Sequence, residues 1–199
     1  MQEIKKIVAI GPESTGKSTL CSSLAKHFST AWCPEYAREY LLQYGTDYTF
    51  ETLETIGRGQ LSLEEELISE VDKQSSDMKR NSSLTSDLSP LVSRKSRLLF
   101  IDTNMYVMKV WCEYVFKKCH PFILEEIASR KYDLYLLCNT DLPWVKDKLR
   151  EYPDEKIRLE LFDIYKDILI NQNVPWIELK GDYDARLETA VEAVNHYCL

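Results

Sequence analysis

Near its start the chain carries Gly11-Pro12-Glu13-Ser14-Thr15-Gly16-Lys17-Ser18, which fits the spacing G-x-x-x-x-G-K-[ST]. No other feature of the sequence restricts the fold as much. The two glycines let the backbone curl so that successive N–H groups converge on one hollow. A helix starting at Lys17 would present its N-terminus to the same hollow. An apolar strand must therefore precede the loop and a helix must follow it. The chain supplies both: Ile4–Ile10 is a short apolar run, and Leu20, Leu24 and Phe28 recur at helical spacing within Lys17–Phe28. The loop is read as a phosphate-binding P-loop. Gly11, Glu13, Ser14, Thr15, Gly16, Lys17, Ser18 and Thr19 are expected to hold the phosphates of ATP. The Lys17 ammonium should reach the β- and γ-phosphates, and the Ser18 hydroxyl should take Mg²⁺.

The rest of the chain alternates in the same manner. Strands are expected at Thr30–Cys33, Leu98–Asp102, Tyr132–Cys138 and Val174–Leu179. The run Leu-Leu-Phe-Ile closed by Asp102 reads as a buried parallel strand. Helices are expected over Tyr36–Tyr44, from Met105 past Val115, from Pro121 through Ala128, over Lys156–Asn171, and after a cap at Asp182. Phe50–Val71 reads as two helical pieces, or one kinked at Gly57-Arg58-Gly59. Asp141 is placed to cap a short helix with Pro143 in its first turn. Five strands alternating with helices predict an α/β fold, a parallel sheet covered on both faces, within a single domain over 1–199. Ser75–Ser96 holds eight serines and few large apolar groups, so a flexible insert is expected over 75–97.

Composition narrows the partners. Net charge is −7 with no long basic stretch, which argues against a nucleic-acid binder and for a small-molecule substrate. No apolar run approaches the roughly 20 residues that span a bilayer, and the N-terminus has no signal-peptide pattern. No membrane partner is expected, and the protein is read as cytoplasmic. The six cysteines form no C-x-x-C pair, so a zinc site has little support. Oligomeric state is left open.

A P-loop needs a carboxylate at the metal, and Asp102 closes a strand where that aspartate belongs. Thr103 and Asn104 follow it, without the glutamate that motor-type ATPases use to activate water. Neither N-K-x-D nor an L-S-G-G-Q-like signature occurs, which sets aside GTPases and ABC ATPases. A kinase of small molecules fits better. Glu35 sits past the second strand, at the carboxyl edge where ligands bind in such sheets, and could orient or deprotonate a hydroxyl. Arg38 shares that edge. Lys146, Lys148, Arg150, Lys156 and Arg158 cluster past the fourth strand as a candidate basic lid. Arg150 and Arg158 are the preferred phosphate contacts because a guanidinium grips phosphate as a fork.

Several blocks occur in a telling order: the P-loop with Thr19-Leu20, Glu35-Tyr36-Ala37-Arg38-Glu39-Tyr40, Ile101-Asp102-Thr103-Asn104, Thr140-Asp141-Leu142-Pro143-Trp144-Val145, and Gly181-Asp182-Tyr183-Asp184-Ala185-Arg186. Together they resemble the ribosylnicotinamide kinase domain of NadR-type proteins. The resemblance covers nearly the whole chain outside Ser75–Arg97. It implies a P-loop kinase fold and ATP-dependent phosphorylation of nicotinamide riboside to the mononucleotide. It places Lys17, Ser18 and Thr19 at phosphate and Mg²⁺. Glu35, Tyr36, Arg38, Asp102 and Trp144 would border the acceptor, and Arg150 and Arg158 would lie in the lid. The chain carries neither the adenylyltransferase motif nor the helix-turn-helix of the longer proteins, so those activities are not expected of it. Pro34 stands where those proteins carry a tryptophan, which leaves Trp32, Tyr36 or Trp144 to contact the pyridinium ring by cation–π attraction. Other nucleoside or nucleotide kinases, and a regulatory ATPase that switches a partner, remain as alternatives.

Overall fold

The computed structural model describes residues 3–82 and 97–199, with side chains over 3–73 and 97–199. Strands β1 (Lys5–Ile10), β2 (Ala31–Cys33), β3 (Leu98–Asp102), β4 (Leu134–Cys138) and β5 (Trp176–Leu179) form one sheet. Its order is β2-β3-β1-β4-β5, and every pairing is parallel. The helices are α1 (Lys17–Phe28), α2 (Tyr36–Tyr44), α3 (Phe50–Ser82), α4 (Met105–Phe116), α5 (Pro121–Ser129), α6 (Glu155–Ile170) and α7 (Tyr183–Cys198).

The strand period of two divides the core. Ile7, Ala9, Leu98, Phe100, Leu134 and Leu136 face α1 and α7. Their neighbours Val8, Ile10, Leu99, Ile101, Tyr135 and Leu137 face the opposite layer, with Val71 of α3, Val110 of α4 and Leu161 of α6. Residues of β1, β3 and β4 on both faces are buried, which is why these strands are apolar without alternation. A third cluster joins α2, α3, α4 and α5 beyond the sheet. The expected P-loop fold is the one observed: a five-stranded parallel sheet with helices on both faces.

Of the two alternatives for 50–71 the single helix is the one observed, and the helix expected after Asp141 is corrected. Residues 50–82 form one continuous helix through Gly57-Arg58-Gly59. Both glycines lie against other elements, Gly57 beside Met105 and Phe122 and Gly59 beside the Tyr36 ring, so they make room for neighbours without breaking the helix. No helix follows Asp141; residues 139–154 run without regular structure. The Asp141 carboxylate accepts the Gly181 N–H at 2.6 Å and pairs with Arg186, which ties it to the turn after β5. Of the stretch read as an insert, 75–82 belongs to α3 and 83–96 lies outside the described residues.

Candidate active site

Each strand delivers its site residues at its carboxyl end. β1 leads into the P-loop, whose Gly11 has φ +142°. A Cβ there would meet the Cys138 carbonyl oxygen at 2.7 Å, so only glycine lets β1 turn this close to β4. The first turn of α1 has no acidic residue and no side-chain cap, which leaves its N–H groups for an anion. Thr15 Oγ1 and Lys17 Nζ both donate to the Pro12 carbonyl, at 2.7 and 2.8 Å. Beneath the loop, Arg186 of α7 donates to the carbonyls of Thr15, Asn139 and Gly181. This buried guanidinium joins the P-loop to the ends of β4 and β5.

β3 ends on Asp102, which has no exposed surface. Neither of its carboxylate oxygens has a hydrogen-bond partner, and the buried Thr103 hydroxyl also lacks one. Burial pushes the Asp102 pKa up, while Lys17 and Ser18 of the P-loop pull it back down. Thr103 holds φ +80°, unusual for a β-branched residue and typical of functional sites. Three orphaned oxygens beside a P-loop suit a hydrated divalent cation, so the donors present fit Mg²⁺.

β2 ends before Glu35, and α3 holds that turn. Buried Gln60 accepts the Tyr36 N–H at 2.8 Å and donates to the Pro34 carbonyl at 3.2 Å. The Glu35 pKa is raised to about 7, first by desolvation and then by the Asp102 charge. A carboxyl of that kind can take a proton near neutral pH. Glu35, Arg38 and the whole P-loop line one cavity of about 510 Å³. Its far wall is Val107, Val110, Trp111 and Tyr114 of α4 with Leu161 and Tyr165 of α6.

The structure brings together Gly11 through Thr19, Glu35, Arg38 and Arg150 around this cavity. Tyr36, Asp102, Trp144 and Arg158 do not line it; Asp102 lies fully buried at the end of β3. The Tyr36 ring packs on Gly59, Trp32 packs on the α1/α7 side of the core, and Trp144 Nε1 donates to Glu13 at 3.4 Å. Arg158 is 5% exposed and donates to the carbonyls of Thr140 and Leu142, both at 3.3 Å. It supports the 139–154 loop from below, because its position on α6 faces the core. Arg38 pairs with Asp147 of that loop at 2.7 Å. Trp111, Tyr114 and Tyr165 were missed because helical aromatics at core spacing read as packing; Thr103 was passed over as an ordinary residue after Asp102.

The AAA domain family matches residues 6–186. The trifunctional NAD biosynthesis/regulator protein NadR of Escherichia coli (strain K12) is 29% identical over 194 residues, 96% of this chain and 42% of that protein. NadR of Salmonella typhimurium has the same identity and coverage. The chain thus spans less than half the length of these curated relatives. A crystal structure of NadR protein in complex with NR superposes with a TM-score of 0.70 at 22% identity, covering 97% of this chain and 49% of that one. Deoxyadenosine kinase from M. mycoides with products bound gives a TM-score of 0.53 at 15% identity, covering 96% and 99%.

Proposed function

Because this chain belongs to the AAA domain family, we propose that its P-loop serves an ATP-dependent kinase that phosphorylates nicotinamide riboside to the mononucleotide. The observation that carries the reading is the shared cavity: the phosphate loop and Glu35 face one chamber whose far wall is aromatic and aliphatic. The likeness to NadR over nearly the whole chain supports the choice of acceptor. Trp111, Tyr114 and Tyr165 line the cavity, and an aromatic ring that meets a pyridinium cation face-on contributes roughly 0.5–2 kcal/mol.

In this scheme the P-loop N–H groups and Lys17 bind and orient the phosphates of ATP. Glu35 holds the ribosyl hydroxyl and accepts its proton as the oxygen bonds to the γ-phosphorus and the bond to the leaving ADP breaks. Asp102 and Ser18, with the Thr103 hydroxyl alongside, would hold Mg²⁺. When bound, the cation neutralises charge developing on the phosphate oxygens. Arg38 and Arg150 lie where they can screen phosphate charge, while the 139–154 loop keeps water out. Among the described residues no helix is long and apolar enough to cross a membrane, and we assign the enzyme to the cytoplasm with a small-molecule acceptor and no nucleic-acid partner.

The test is an acceptor panel. Purified protein with Mg²⁺-ATP is offered nicotinamide riboside, purine and pyrimidine nucleosides and their monophosphates, and products are read by mass spectrometry. Preferential formation of nicotinamide mononucleotide supports the reading. A preferred nucleoside of another kind, or ATP turnover indifferent to every acceptor, overturns it.

A further inference from the structure

A carboxylate inside a phosphate loop is electrostatically awkward, since it stands beside the anion that the loop binds. Glu13 is such a residue, and its side chain is turned away toward the 139–154 loop. Oε1 accepts the Tyr152 N–H at 2.6 Å and Trp144 Nε1 at 3.4 Å, and Oε2 accepts the Glu151 N–H at 3.0 Å. The next residue adds a fourth tie: Ser14 Oγ accepts the Val145 N–H at 2.9 Å. These partners are more than 130 positions away in sequence, so the contact joins two separate strand-end loops. The loop they hold has no regular secondary structure of its own, and it carries Arg150, which faces the phosphate cavity.

We propose that Glu13 is a positioning residue: its carboxylate latches the 144–152 segment onto the phosphate loop and so fixes Arg150 beside the site. The physical reason is that hydrogen bonds to a charged acceptor are about twice as strong as neutral ones. One carboxylate with three N–H donors can thus order a loop that lacks a ladder. The arrangement also shields the phosphates, because the three donors absorb the negative charge of Glu13. With the loop detached, that charge is free to oppose nucleotide, so loop closure and nucleotide binding favour each other. The catalytic consequence rests on the kinase reading above; the latch itself does not.

The experiment uses the full chain with Glu13→Ala and Glu13→Gln. Lys146, Lys148 and Arg150 are trypsin sites within or beside the latched segment. Without nucleotide, cleavage there in Glu13→Ala should rise by about tenfold or more over wild type, the factor that loss of one charge-assisted hydrogen bond allows. Cleavage elsewhere and the melting temperature should stay near wild type. Glu13→Gln should fall between, because its amide keeps one acceptor but turns a second donor toward the Glu151 N–H. If Glu13→Ala does not fold, Glu13→Gln alone decides. Where kinase activity is present, phosphate release to water should increase relative to acceptor phosphorylation, because Arg150 is no longer held beside the site. Unchanged cleavage at the three sites, or an increase spread evenly over the chain, overturns the latch. Selective cleavage in a protein with no activity toward ribosides leaves the latch standing and removes the kinase reading.

Discussion

Two glycines two positions apart in α3, Gly57 and Gly59, should respond to alanine with opposite signs. In a helix interior Gly→Ala ordinarily stabilises by about 1 kcal/mol. At Gly57 a new Cβ would meet Met105 Sδ and Phe122 Cε1 at 3.7 Å, ordinary contact, so the full gain should appear. At Gly59 the Cβ would lie 2.1 Å from Tyr36 Cε1 and 2.4 Å from Cζ. Carbon atoms pack at about 3.5 Å or more, so ring or helix must yield by about 1.4 Å. Tyr36 cannot shift freely, because its N–H is held by Gln60 and its ring packs near Tyr40. Overpacking of this kind costs about 1–3 kcal/mol, here toward the upper end. After subtracting the helix gain, Gly59→Ala should lose about 2 kcal/mol. At roughly 2–4 °C per kcal/mol for a chain of this size, its melting temperature should drop by about 4–8 °C, while that of Gly57→Ala rises by about 2–4 °C. Adding Tyr36→Ala removes the ring, so Gly59→Ala should then stabilise, with a coupling of about 1–3 kcal/mol in a double-mutant cycle. Glu35 adjoins Tyr36, and a displacement near 1 Å should also cut turnover by about 10²-fold. Scanning calorimetry on wild type and the four variants decides: a Gly59→Ala variant as stable as wild type, or no coupling to Tyr36, refutes the notch.

The remaining predictions concern the site. Lys17→Ala should abolish phosphotransfer while the circular-dichroism melt stays near wild type, since the lysine acts at the phosphates and packs little. With the Glu35 pKa raised to about 7, kcat/KM should climb through pH 7 as the base loses its proton; Glu35→Gln should flatten that profile and lower the rate by roughly 10²-fold or more. Because burial raises both Glu35 and Asp102 above their ordinary values, their protonated forms favour the folded state. These two carboxyls therefore contribute stability to the nucleotide-free protein that is fully present below their ordinary range and is lost as pH rises toward 7, opposite in sign to the ion-paired Asp147 and Glu178, whose pKa values are lowered. Asp102→Asn should raise the melting temperature of the nucleotide-free protein at neutral pH, because it removes an unpartnered buried charge, and should raise the Mg²⁺ needed for activity. A lower melting temperature together with an unchanged Mg²⁺ titration would show that Asp102 is a structural residue.

Much of this architecture was legible from residues a few positions apart. The glycine spacing of 11–18 set the loop, the apolar runs of β1, β3 and β4 set a sheet buried on both faces, and Asp102 was legible as the residue that closes a buried strand. Such features are local: a turn, a period or a cap is encoded within one element and survives almost any arrangement of the others. Tertiary structure decided what each long side chain touches. The sheet order puts β4 beside β1, which brings the 139–154 loop onto Glu13 and makes a latch of a residue that sequence placed at the phosphates. Arg158 was expected at the phosphates as a guanidinium within a basic cluster and by the resemblance, yet α6 turns it inward beneath that loop. Trp111, Tyr114 and Tyr165 carry the helical spacing of core residues, and only the gap left between α2, α4 and α6 turns them into a cavity wall. Gly57 and Gly59 read as a break or a kink in a helix because propensity weighs each residue alone, whereas the Tyr36 ring packed against Gly59 depends on two elements meeting.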